Sequence, residues 1–139
     1  MQLQSYLAFK GNCEEAINFY KDVFDGEVVT LMRFKDAPKE VMSVEDAYKE
    51  QIMHVTLKFQ DCILMASDYI HEQPFVNGNN YSISVNVKDE EEASAIFTSL
   101  AEGGFVAMPF EDAFWGGKFG MLIDQFGVQW MVSSEHKPD

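Results

Sequence analysis

The stretch FWGGKFGMLIDQFGVQWMV, residues 114–132, decides the fold. Two apolar runs, 119–123 and 128–132, are rich in strand-forming residues. They are separated by Asp124-Gln125-Phe126-Gly127, whose acidic start and closing glycine suit a four-residue hairpin turn. Glycines at 116 and 117 interrupt regular pairing directly after Trp115, which places that indole at a rim from which it can reach a cavity. The stretch therefore reads as the closing hairpin of a curved sheet. Its last strand carries no His, Glu or Cys, and that restricts the chemistry the sheet can perform.

Upstream, the pattern that leads to this hairpin occurs twice. Residues 2–9 read as a strand ended by Gly11. Asn12 then stands as a cap, with Glu15 three positions on, before Ala16, Phe19, Tyr20, Val23 and Phe24 recur at helical spacing. Asp25-Gly26 stops that helix and 28–34 resumes as a strand. Residues 35–51 are charged and irregular, with Pro38 and a helical turn at 44–48, and read as a loop or lid. Two strands, 53–59 and 62–67, follow around a tight Gln60-Asp61 turn, and 69–80 is a crossing loop. A strand at 81–87, a helix opened by Asp89 with its stripe at Ala93, Ile96, Phe97 and Leu100, and a strand at 105–110 then repeat the order. A slide of 77 residues superposes Ala16 on Ala93, Phe19 on Ile96, Tyr20 on Phe97 and Gly26 on Gly103. The prediction is an α+β protein, a single domain over 1–139. It comprises two βαβββ modules, about 1–68 and 81–136, forming curved mixed sheets around a concave cavity with the helices on the outer face.

Composition narrows the partners. With 23 acidic and 10 basic residues the formal net charge is -13, which repels nucleic-acid backbones and anionic membranes. No apolar run approaches the roughly 20 residues that span a bilayer, and the N-terminal residues lack the pattern of a secretory signal, so a cytoplasmic protein is expected. Cys13 and Cys62 stand singly and read as small buried side chains.

Several motifs resemble one family. Gly11-Asn12-Cys13-Glu14-Glu15-Ala16, Phe19-Tyr20, Val23-Phe24, Ile52-Met53-His54, Trp115-Gly116 with Phe119-Gly120, and Asp124 through Trp130 are similar to the PhnB-like branch of the vicinal oxygen chelate superfamily. That superfamily includes glyoxalase I, bleomycin and fosfomycin resistance proteins and extradiol dioxygenases. The resemblance implies paired βαβββ modules in a homodimer, but leaves the reaction open, because one scaffold hosts isomerases, lyases, oxygenases and binding proteins. It further implies a divalent ion held from the first and last strands of each module. Those places carry over to Ser5, Met65, Ser82 and Met131, whose hydroxyls and thioethers are poor ligands for Ni, Zn, Fe or Mn. No metal and no other cofactor is expected. Some members bear a demethylubiquinone methyltransferase label, yet no glycine-rich loop for a methyl donor is present.

The candidate cavity residues are His54, Met65, Ser82, Ser84, Trp115, Gln129 and Met131. His54 reads either as a hydrogen-bonded strand histidine or as an acid–base group near neutral pH. Ser82, Ser84 and Asn86 alternate with Tyr81, Ile83, Val85 and Val87, so one face of that strand is polar, toward either the concavity or solvent. Met65 and Met131 read as an adaptable pocket floor or as ordinary core, and Trp115 and Phe110 as ligand-stacking or packing aromatics. His71 and His136 read as solvated. Two functions follow: a metal-free small-molecule-binding protein, or an enzyme of the same scaffold using unrecognised ligands or His54. A weaker third is an interaction module with an acidic surface.

Overall fold

The computed structural model describes residues 1–135 and divides into two compact units, Met1–Phe75 and Val76–Asp139. The expectation for His136 lies outside the described residues.

Unit one runs β1 (Ser5–Phe9), α1 (Cys13–Phe24), β2 (Glu27–Arg33), β3 (Ile52–Phe59) and β4 (Cys62–Asp68). Its sheet has the order β1-β4-β3-β2, with β1 parallel to β4 and the other pairs antiparallel. The helix forms where the sequence places its apolar stripe: Cys13, Ala16, Ile17 and Tyr20 are buried against β3 and β4. Leu7, Phe9, Val55, Leu57, Leu64 and Ala66 meet them from the sheet, and Phe24 stacks on Phe59 at 4.5 Å. Asp25 ends the helix in the left-handed conformation. The tight β3–β4 turn lacks glycine because Gln60 itself takes φ 52°. Between β2 and β3 the chain forms short 3-10 turns at Phe34–Asp36 and Asp46–Tyr48, the second overlapping the expected helical turn. Arg33 ties this segment to the helix by a fork on Glu14, 2.7 and 3.2 Å, and a bond to the Glu50 carbonyl, 2.8 Å.

The start of α1 departs from expectation. Asn12 makes no side-chain cap; instead the buried Asp68 carboxylate, arriving at the end of β4, accepts from the N–H groups of Gly11 and Cys13 at 2.8 and 3.0 Å. A carboxylate at a helix N-terminus satisfies both the orphan donors and the dipole. Cys62 also departs from expectation, since it is exposed while Cys13 is buried.

Unit two repeats the plan with β5 (Ile83–Val87), α2 (Glu90–Ala101), β6 (Phe105–Asp112), β7 (Lys118–Ile123) and β8 (Gln129–Ser134), in sheet order β5-β8-β7-β6. Asp89 caps α2 by accepting from the Glu92 N–H at 3.0 Å, as the sequence predicts. The helix lays Ala93, Ile96, Phe97 and Leu100 on Leu122, Trp130 and Val132. The hairpin forms as expected: Gly127 closes the turn at φ 86°, and its N–H donates to the Asp124 carbonyl at 3.0 Å. The Asp124 side chain accepts from Phe126, Val128 and the Trp130 indole at 2.9, 3.0 and 2.8 Å. Among the described residues no helix is long and apolar enough to cross a membrane.

Candidate functional site

Each sheet has one face under its helix and one turned away from it, and the ladder registers assign every strand residue to one or the other. In unit one Leu7 and Phe9 are buried toward α1, so Tyr6 and Ala8 point to the far face and Ser5 shares the helix side. The cross-strand row Tyr6, Met65, Thr56, Thr30 runs across all four strands of that far face, with His54 and Met32 paired beside it. In unit two the corresponding row is Ser84, Met131, Met121, Met108, flanked by Asn86, Ser133, Phe119 and Glu111 on one side and Gln129, Ile123 and Phe105 on the other.

The registers correct the sequence reading at two positions. The helices are related by 77 residues, but three residues separate β1 from α1 and only two separate β5 from α2. Phe9 therefore stands opposite Asp68 as Val87 stands opposite Ser134, and the first strands are related by 78. The first-strand residues on the far faces are Tyr6 and Ser84, in place of Ser5 and Ser82; Ser82 lies outside any strand, just before β5. The signal was present in the alternation of Leu7 and Phe9, which leaves Tyr6 on the other side.

The remaining candidates fall as follows. His54, Met65, Ser84, Gln129 and Met131 occupy far faces, the first two in unit one and the others in unit two. The Gln129 amide donates to the Gly78 carbonyl at 3.1 Å. Trp115 is 60 % exposed in the β6–β7 link and meets Phe119 edge to face at 5.6 Å, so its ring adjoins that far face. Phe110 does not; it stacks on Phe97 of α2 at 5.4 Å. His71 is exposed in the loop after β4, its ring against Tyr69.

His54 is held at both ring nitrogens. Nδ1 lies 3.1 Å from the Tyr6 hydroxyl and Nε2 lies 2.9 Å from the Thr56 hydroxyl. One ring nitrogen donates and the other accepts, with either tautomer accommodated by the two hydroxyls, so the three side chains form one hydrogen-bonded string across the far face. Tyr6 was not singled out from sequence, nor were Met121, Met108, Ser133 and Glu111.

The methionines are distributed unevenly. Among the described residues the 20 buried apolar side chains include none of the eight methionines, whereas Met32, Met65, Met108, Met121 and Met131 all lie on far faces. They lie outside the cores that the two helices cover.

Neither unit offers a donor set that fits a divalent ion. On the far-face positions of the first and last strands, unit one has the phenol of Tyr6 and the thioether of Met65, and unit two the hydroxyl of Ser84 and the thioether of Met131. Among the described residues no three His, Cys, Asp or Glu are grouped to hold a metal. Away from the far faces, burial, then the Asp68 and Glu14 charges, raise the Cys13 thiol far above its ordinary value, so it is no thiolate ligand or nucleophile. Burial and the Asp124 carboxylate also raise the Tyr81 phenol.

Comparison with known proteins agrees with this architecture. Residues 1–133 match the family model described as 3-demethylubiquinone-9 3-methyltransferase. The crystal structure of protein PA1353 from Pseudomonas aeruginosa is 40% identical with a TM-score of 0.89, covering 99% of both chains. The putative 3-demethylubiquinone-9 3-methyltransferase, PhnB protein, from Bacillus cereus is 28% identical with a TM-score of 0.75, over 96% of this chain and 99% of that one. A glyoxalase/bleomycin resistance protein/dioxygenase family enzyme from Burkholderia phytofirmans shares the fold at 12% identity and a TM-score of 0.61, over 94% and 96% of the two chains.

Proposed function

The chain belongs to the family described as 3-demethylubiquinone-9 3-methyltransferase, the PhnB-like branch of the glyoxalase/bleomycin resistance/dioxygenase superfamily, and from that premise we propose that it binds a small organic molecule without a divalent-metal centre. The observation that carries the reading is the placement of the methionines. Thioether side chains are flexible and polarizable, and adapt to irregular ligands. Here five of them line faces that also present Ser84, Gln129 and the Tyr6–His54–Thr56 string, while the core excludes them. The strand positions on these faces carry Glu27 and Glu111 as their only acids, in a chain with 23, which favours an uncharged ligand of mixed polarity.

Methyl transfer is not supported by the strand–helix junctions. Asp68 accepts from the Gly11 and Cys13 N–H groups at the start of α1 and Asp89 from the Glu92 N–H of α2, so each junction already holds a carboxylate, which disfavours an anionic cofactor group there. The same reading takes the protein as a cytoplasmic homodimer with no nucleic-acid or membrane partner, and the formal net charge of -13 supports the last of these, since it repels polyanionic surfaces.

A library of flat, neutral, hydrogen-bonding compounds followed by Trp115 fluorescence tests the proposal, because Trp130 is buried and reports little. The expected result is saturable one-to-one quenching that is lost in Trp115→Phe and weakened about tenfold in Ser84→Ala with Gln129→Ala. Turnover of a bound compound would contradict it. The second reading, metal-free acid–base catalysis, draws on the Tyr6–His54 contact of 3.1 Å, and predicts turnover abolished by His54→Gln and reduced by Tyr6→Phe.

A further inference from the structure

Met108, Met121 and Met131 are direct cross-strand partners on three adjacent strands: Met131 faces Met121, and Met121 faces Met108. Side chains in such positions have Cβ atoms about 4.5–5.5 Å apart, and the three rotatable bonds of methionine let neighbouring sulfurs converge.

The third thioether reaches the row through an irregularity in β6. Val106 stands opposite Leu122 on the helix side, and in a regular ladder Met108, two residues later, would share that side. A register shift between Val106 and Met108 turns Met108 to the far face opposite Met121, and a second shift before Glu111 restores the pairing. Bulges of this kind re-aim particular side chains and recur next to functional sites. The row continues only into Ser84 on β5, so it contains no carboxylate or imidazole. The acid next to it, Glu111, stands opposite Phe119 in the neighbouring row.

We propose that Met108, Met121 and Met131 form a three-thioether site for a soft monovalent metal ion, Cu(I), with Ag(I) as its redox-inert surrogate. Thioethers select soft ions and bind hard or borderline divalent ones poorly, so this site is compatible with the absence of a divalent centre. It shares Met108, Met121 and Met131 with the small-molecule reading but is read by metal affinity alone, so either can fail without the other.

Exposed Cys62 is a competing soft ligand, so the test uses the full chain carrying Cys62→Ser. Ag(I) binding is measured by calorimetry, and Cu(I) binding by anaerobic competition with bicinchoninate. The expected result is one equivalent bound in Cys62→Ser, with affinity lowered about tenfold or more by Met121→Leu, Met131→Leu or Met108→Leu, and unchanged by Met42→Leu in the exposed 35–51 loop. Met108 is 47% exposed on an edge strand, so its variant is read even if a deeper substitution unfolds the sheet. Loss of binding in Cys62→Ser, or undiminished affinity in Met108→Leu, overturns the proposal.

Discussion

Asp68 joins three elements through one carboxylate. It accepts from the N–H groups of Gly11, Cys13 and Ile52 at 2.8, 3.0 and 2.9 Å, which fastens the start of α1 and the start of β3 to the end of β4. Hydrogen bonds to a buried charge contribute about 1.5–3 kcal/mol each, and their loss strands the donors. Asp68→Ala is expected to cost about 3 kcal/mol or more in urea unfolding, and Asp68→Asn, which keeps one acceptor, less. The two cysteines part company at the same scale. Native protein should react with a thiol reagent once, at exposed Cys62, and a second time, at Cys13, only after unfolding. Two rapid equivalents in the native state would contradict the placement of Cys13.

The contact of α2 with its sheet depends on Gly120. A Cβ there would come within 2.7 Å of Phe97 Cε2, 2.9 Å of Phe110 Cα and 3.0 Å of the Met108 carbonyl. Because two of these atoms are backbone, Gly120→Ala cannot be relieved by a rotamer change and should cost about 1–3 kcal/mol, read from its melting temperature. Elements of this kind were legible where the signal is local: the apolar stripes of both helices, the Asp89 cap and the Asp124–Gly127 turn all rest on residues within a few positions. What the sequence hid is long-range. The cap of α1 comes from Asp68, 55 residues from Cys13, and the shift in β6 that aims Met108 is not announced by its own residues, whereas Pro109 stands inside the second shift. The slide of 77 misplaced Ser5 and Ser82 because a single-residue difference in one loop leaves the helices in register and inverts the strand faces.

For the whole molecule, the chain commits its buried acids, Asp68 and Asp124, to holding loops and helix ends, and gives the faces away from the helices mainly hydroxyls, amides, thioethers, aromatic rings and His54, with Glu27, Lys58 and Glu111 as their charged groups. The architecture was readable because it is written twice, with the same strand and helix order in each half. The candidate site was not, because it is made of side chains that come together from separate strands. The central claim is that these faces bind a ligand without a divalent metal. Elemental analysis of protein purified without an affinity metal column tests it most directly. The account predicts less than about a tenth of an equivalent each of nickel, zinc, iron and manganese, since among the described residues no three His, Cys, Asp or Glu are grouped to hold them. Near-stoichiometric content of any of the four would contradict it.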